Sequence, residues 1–292
     1  MLLDAAAATI PDEYYYAGAL PQWTQRADYA GYDDGTSVTS IATIDSVLYV
    51  TFQQGTVDMY DLASGSWSHL QPIPNSPAAP VALSIAGKLY VFDVQAPAVE
   101  FLDPATGQWT TAATLSAGGS PAFAGAVVNG HAFLMLDSQT QGYDPMEKSF
   151  TAHPAMNPPR SHIGVAAVGT NIYVAGGRGG TNYYGSNFQV YSTTSGTWQD
   201  LPNIPIGQYD AEAVAINGKV YVFGSSFPVI QEYDPAAGTR AVAGQTPEPA
   251  ATFLVGSFGN KVFLIGTTFQ LGGLDQNLWQ GFARQLSIFI HR

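Results

Sequence analysis

No cysteine occurs in the chain. That excludes disulfides, thiolate metal sites and a cysteine nucleophile. Charge is scarce as well: Asp, Glu, Lys and Arg make up 11% of the residues, about half of the ~25% usual in globular proteins. The charge that exists is acidic, 10 Lys and Arg against 22 Asp and Glu, for a net charge of −12. Surfaces for nucleic acid or anionic membrane need clustered Lys and Arg, and none is present, so neither partner is expected. No apolar run approaches the ~20 residues needed to cross a bilayer as a helix, and no segment sustains a helical period. The opening MLLDAAAATIPDEYYY carries Asp4 and no basic stretch, so it does not read as a signal peptide. A cytoplasmic protein is expected on that ground, with a processed secreted form left open.

What the sequence does contain is repetition. Tyr49, Tyr90, Phe133, Tyr173, Tyr221 and Phe263 each sit in an apolar run and follow one another at 41, 43, 40, 48 and 42 residues. Tight-turn pairs precede most of them, among them Asn129-Gly130 and Asn217-Gly218. Such pairs between apolar runs predict hairpins, because both turn positions need positive φ. Downstream recurs an aromatic-Asp-x-x-x-Gly-x-Trp pattern, seen as Tyr60-Asp61…Gly65-Ser66-Trp67 and, with Leu102 in the aromatic place, Leu102-Asp103…Gly107-Gln108-Trp109. Weaker copies begin at Tyr143, Tyr191 and Tyr233. Four short strands per ~40 residues, repeated around a ring, is the arithmetic of an all-β propeller. The recurring Asp61, Asp103, Asp144 and Asp234 are expected to stabilise turns, and Trp67, Trp109 and Trp198 to pack blades.

The pattern resembles the kelch repeat. Its marks are the second-strand Tyr173 followed by Gly176-Gly177, the Tyr-Asp-Pro…Gly…Trp turn, and Pro159-Arg160 opening a repeat; the double glycine is complete only in the fourth repeat. The resemblance implies a six-bladed kelch-type β-propeller, with seven blades as the alternative. One domain is expected over 1–292, with blades near 36–75, 76–119, 120–159, 160–206, 207–248 and 249–292. An N-terminal segment at 12–30 would close the ring.

In a propeller the first strands line a central channel, and the loops entering them share a face with the loops after the second strands. Site residues therefore converge from distant positions. Comparison at a fixed distance before each marker singles out blades four and five. There stand Arg160, Ser161, His162, Gln208, Tyr209 and Asp210, against nearly inert residues such as Pro77-Ala78-Ala79 in blade two. His162, Asp210 and Arg160 are the catalytic candidates, Asp210 being placed to set the histidine's tautomer. Glu212, two residues on, is expected deeper in the channel, where it needs Arg160 or Arg178 nearby or must be protonated. The loops after second strands add Gln53, Asp93, Asp137, Ser225 and Thr267, and blade four inserts Arg178, Tyr183 and Tyr184 in a glycine-rich segment. One channel-facing histidine makes a three-ligand metal site unexpected, and no metal or cofactor is predicted. The set departs from that of copper radical oxidases built on kelch propellers, which use paired His and Tyr ligands.

Three functions fit. The first is a monomer with one small-molecule pocket at the channel mouth, whose enzymatic form would be an isomerase, cyclase or lyase working by His and Asp acid–base chemistry; kelch-type mutarotases and specifier proteins are the resemblance behind it. The second is a protein-interaction module, the commonest role of kelch propellers. The third is a carbohydrate-binding module using the Tyr-rich loops. Concentration of polar residues in two blades favours the first.

Overall fold

The computed structural model describes residues 38–115, 123–137, 139–179, 185–224, 227–246 and 254–265, with backbone alone at 23–29, 252–253, 266–269 and 284–291. Strand β1 (Trp23–Tyr29) comes first. Blade one holds β2 (Val38–Ile44), β3 (Val47–Phe52), β4 (Val57–Asp61) and β5 (Ser66–His69). Blade two holds β6 (Val81–Ile85), β7 (Lys88–Phe92), β8 (Ala98–Asp103) and β9 (Gln108–Thr114). Blade three holds β10 (Ala124–Val128), β11 (His131–Met135), β12 (Thr140–Asp144) and β13 (Ser149–His153). Blade four holds β14 (Gly164–Val168), β15 (Asn171–Ala175), β16 (Phe188–Ser192) and β17 (Thr197–Leu201). Blade five holds β18 (Ala211–Ile216), β19 (Lys219–Gly224), β20 (Val229–Asp234) and β21 (Thr239–Gln245). Then follow β22 (Thr252–Phe258), β23 (Lys261–Phe269) and β24 (Arg284–His291).

Five antiparallel sheets are thus each built from four consecutive strands. A further four-stranded sheet, in the order β1-β24-β23-β22, is assembled from both ends of the chain. Its outer strand is β1, paired antiparallel with β24 from Trp23↔His291 to Tyr29↔Leu286. Tyr14, Tyr15 and Tyr16, also expected in the closing segment, lie outside the described residues.

Turn chemistry explains the hairpins. Asn129 and Gly130 have φ of 51° and 80°, and Asn217 and Gly218 have 51° and 77°. Asparagine tolerates this left-handed geometry and glycine meets it without steric cost. Each blade then buries both of its faces against neighbours. One buried cluster joins Leu48, Val50 and Phe52 of blade one to Phe263 and Ile265 of the last sheet. Another joins Met135 and Phe133 of blade three to Val174 and Tyr191 of blade four, and a third joins Tyr173 and Phe188 of blade four to Val220 and Val222 of blade five. Burying one such side chain contributes about 1.5–3 kcal/mol. Since every cluster belongs to two sheets, no blade is stable alone.

The repeated aspartates act as turn anchors. Asp61 Oδ1 accepts from the Ala63 and Ser64 amides at 2.7 and 3.3 Å, Asp144 from Met146 and Glu147 at 2.8 and 3.1 Å, and Asp234 from Ala236 and Ala237 at 2.9 and 3.1 Å. Backbone N–H bonds hold the carboxyls of Asp61 and Asp144 below the usual range; for Asp103 the Lys88 ammonium does most of it and the Ala105 amide adds to it. A depressed carboxyl stabilises the fold above its unfolded value near 3.9, and that contribution is lost as pH falls through the folded value. Urea midpoints should therefore drop between about pH 4 and pH 2. A D61N/D103N/D144N variant, whose amide oxygens still accept from the backbone, should show a flatter drop over that interval. Equal slopes would mean these turns carry no acid sensitivity.

The structure also reveals a repeat feature absent from the sequence reading. Two residues before each recurring aromatic, or before Leu102, stands a buried polar side chain: Asp58, Glu100, Gln141, Gln189 and Gln231. Several of them tie down the connector that enters their blade. Gln231 exchanges two 2.9 Å bonds with the Ile206 backbone, Glu100 accepts from Asn75 at 2.9 Å, and Gln189 donates to the Asn157 carbonyl at 2.6 Å. The fixed offset was visible in the sequence as a polar residue inside an apolar strand, where only a satisfied polar group is tolerated.

Candidate functional site

Six innermost strands meet at the axis: β2, β6, β10, β14, β18 and β22. Residues from all six line a cavity of about 130 Å³, among them Ser40, Ala82, Gly125, Val165, Glu212 and Leu254. These strands read VTSIATI, VALSI, AGAVV, GVAAV, AEAVAI and TFLVGSF. Small residues dominate because six backbones converge there. At Gly164 a Cβ would come within 2.8 Å of the Glu212 carbonyl carbon, closer than packed atoms tolerate.

Glu212 is the one titratable side chain on the six inner strands. It is half-buried, enclosed by protein yet touching the channel. Burial first, and then the Asp210 carboxylate, push its carboxyl up to about 8. Of the two alternatives, a paired cation or a proton, the channel holds a proton at neutral pH.

The loops of blades four and five bring five predicted residues together: Ser161, His162, Arg178, Tyr209 and Asp210. A backbone bridge ties Ser161 to Arg178, with N–H···O bonds of 3.0 and 2.9 Å, and Gln208 is bridged likewise to Gly185. The turn needs Gly177, whose φ is +85° and whose Cβ would fall 2.5 Å from the Ser161 carbonyl oxygen. Arg178, so positioned, donates at 2.7 Å to the Tyr209 hydroxyl, and its guanidinium lies 5.4 Å from the centre of that ring. Tyr209 in turn stands 5.5 Å, centroid to centroid, from His162.

His162 is held at φ +58°, and its carbonyl accepts from the Ala211 amide at 3.1 Å. Its Nδ1 is 3.0 Å from Ser161 Oγ, and its Nε2 is 3.7 Å from Asp210 Oδ1. The second distance is an electrostatic contact, too long for a hydrogen bond. Burial, aided by the Arg178 charge, lowers the pKa of His162, so the ring is neutral at pH 7. Burial raises that of Asp210, against the pull of Arg178. The cluster thus offers a neutral imidazole, an arginine cation and a carboxyl group of raised pKa, a combination suited to general acid–base work.

Other predicted residues go elsewhere. Arg160 is a correction: it is 3% exposed and turned into blade four. It donates to Gly176 O at 3.0 Å, Pro158 O at 3.3 Å, Gln189 Oε1 at 2.7 Å and Val174 O at 3.5 Å. Asp93 is likewise buried and clamps its own loop, accepting from the Gln95 and Ala79 amides at 2.6 and 2.8 Å. The Gln208 amide is fully buried and hydrogen-bonds to nothing among the described residues; it fills the space that a Cβ on Gly224 would need. Gln53 lies exposed on a 3-10 turn, Gln53–Gly55, and Asp137 is half-buried after β11. Tyr183, Tyr184 and Ser225, and the side chain of Thr267, lie outside the described residues. Among the described residues no three His, Asp or Glu converge as metal ligands, and no helix is long and apolar enough to cross a membrane.

Comparison with known proteins agrees with this architecture. Residues 159–205, essentially blade four, match the Kelch motif. Kelch repeat and BTB domain-containing protein 13 of Homo sapiens is 33% identical over 94 residues, 30% of this chain and 20% of that protein. An F-box/kelch-repeat protein of Arabidopsis thaliana is 32% identical over 93 residues, 32% of this chain and 24% of that protein. Kelch-like protein terF of Aspergillus terreus is 23% identical over 281 residues, 84% of this chain and 56% of that protein. The matched part therefore spans less than two thirds of these relatives. The solved structure of YjhT superposes with a TM-score of 0.69 at 13% identity, covering 88% of this chain and 97% of that one, which is a likeness of fold. Repeat, matched motif and sheet topology together support a kelch-type β-propeller, with the Kelch motif itself matched in blade four.

Proposed function

We propose that this propeller binds one small polar molecule at the channel mouth between blades four and five, with Arg178 and Tyr209 as recognition groups and His162 and Asp210 as an acid–base pair. The observation that carries the reading is asymmetry. Charged and aromatic side chains on bridged loops converge in one place, and one of them, Asp210, acts electrostatically on Glu212, the one ionisable residue of the inner strands. Arg178 suits an anionic or carbonyl oxygen of the ligand. Neutral His162 can take a proton at a ring nitrogen, and the Asp210 carboxylate stabilises the imidazolium that results. Glu212, protonated below, can donate to a ligand oxygen that enters the channel. Isomerisation, cyclisation or elimination would need no more than these groups.

A thermal-shift screen against a metabolite and sugar library, wild type beside His162→Ala, tests this. A ligand at about 100 times its dissociation constant stabilises by ~2.7 kcal/mol. A hit should vanish in the variant, whose own stability should change by no more than ~1 kcal/mol. Hits unaffected by His162→Ala and by Arg178→Ala would remove the site from the mouth of the channel. Silence throughout, with clean folding, would favour protein partners, in keeping with the kelch-repeat names of the relatives.

A further inference from the structure

We propose that the central channel takes a small organic ammonium group, held by Glu212, so that the ligand of the mouth site carries a basic head that reaches down into the axis. This rests on the site proposed above and adds the chemical class of its ligand. The argument begins with the composition of the channel. Six inner strands contribute one charged side chain between them, Glu212, and only uncharged apolar or hydroxyl groups otherwise. The two hydroxyls in the lining already have partners: Thr39 Oγ1 donates to the Thr51 carbonyl of its own blade at 3.0 Å, and Ser40 Oγ accepts from the Ala82 amide of blade two at 2.9 Å. Each keeps a lone pair for a further donor. With Glu212 ionised the cavity presents acceptors, one of them an anion, and its lining brings no cation that would compete for it.

Size and geometry narrow the choice. About 130 Å³ is the room of about four waters at ~30 Å³ each, enough for an ammonium on a short alkyl stem. A divalent metal ion would want six or more oxygen ligands, and the inner strands supply a single carboxylate. The alkyl lining from Ala82, Val165 and Leu254 suits the stem of an amine instead. An ammonium carries three donors for Glu212 and the two hydroxyls.

Groups facing Glu212 set the pH dependence. Asp210 lies in the loop just before the same strand and raises its carboxyl; β14, β22, β2, β6 and β10 bring no titratable side chain. From β19 the residue in register is Phe223, and Lys219 at the far end of that strand is occupied by Glu232 at 2.6 Å. His162 and Arg178 stand at the mouth. Ammonium binding must therefore expel the proton held on Glu212, whose carboxyl sits at about 8. Affinity should fall about tenfold for each pH unit below that value and level off above it.

The test is calorimetry on the full chain from pH 6 to 9, in two buffers of different ionisation enthalpy. The probes are n-butylammonium, n-butanol and n-butyrate. Butylammonium should bind with release of nearly one proton at pH 7, butanol should show at least tenfold weaker binding, and Glu212→Gln should lose butylammonium binding at least tenfold. Equal binding of butanol, retention of butylammonium by Glu212→Gln, or absence of proton release would each overturn the assignment. Butyrate separates this from the broader reading. Binding of butyrate that depends on Arg178, without Glu212-dependent binding of butylammonium, would sink the ammonium pocket and leave the mouth site standing.

Discussion

Arg160→Met unfolds at a stability about 3–5 kcal/mol below wild type, the cost expected when one member of a buried charged network is removed. The methionine stem fills much of the same volume, so the loss is one of hydrogen bonding. Gly176 O and Gln189 Oε1, which accept from Arg160 at 3.0 and 2.7 Å, are left without their donor in a dry interior, where each unsatisfied group costs about 1–3 kcal/mol. Burial lowers the Arg160 guanidinium to about 10, with Asp200 pulling the other way, so it stays charged at neutral pH. Gln189 relays it to that carboxylate through a 2.6 Å bond to Asp200 Oδ1. Chemical denaturation measures the loss. A change below about 1 kcal/mol combined with abolished ligand binding would return Arg160 to the site.

Glu212→Gln should act in the opposite sense, by an amount that grows as pH rises from about 4.3 to about 8. Unfolded, the carboxyl titrates near 4.3; folded, at about 8. Between these values the folded chain binds a proton that the unfolded chain has released, so its stability falls as pH rises, by up to ~1.4 kcal/mol per unit. The full shift would amount to roughly 5 kcal/mol, and channel water reduces it to about 2–4. Glutamine keeps the shape and cannot ionise, so the variant should gain that amount over wild type by pH 9 and match it near pH 5. Unfolding curves of both proteins at pH 5, 7 and 9 decide the matter; parallel pH profiles would show that Glu212 is solvated like a surface carboxyl. Because the variant is expected to be at least as stable as wild type, its loss of ammonium binding could not be put down to misfolding.

Arg160 and Glu212 illustrate how far a sequence carries an argument about a site. Both were singled out by their offset from the repeat marker, and the offset is real. Arg160 nonetheless points into the blade, because the carbonyls of Gly176 and Val174 and the amide of Gln189 form a socket that only folding assembles. Asp93 met the same fate, drawn inward by three amides of its own neighbourhood. Glu212 was expected in the channel because side chains on a strand alternate, which places it on the face of Asp210. That expectation needed no tertiary information beyond the ring itself.

The sequence by itself determined the repeat, the hairpin turns, the aspartate anchors and the stacking of sheets around an axis. Each of these is a local rule applied at a fixed period: positive φ at Asn-Gly, a carboxylate capping its own turn, an apolar face that only a neighbouring blade can cover. Tertiary structure decided which polar residues are free to meet a ligand. Arg178 reaches Tyr209 across 31 residues, and His162 faces Asp210 across an inter-blade gap. Arg160, two residues from His162, is consumed by its own blade. Such outcomes depend on which hydrogen-bond partners the closed ring presents to each side chain, and the ring exists only after every blade has folded against the next.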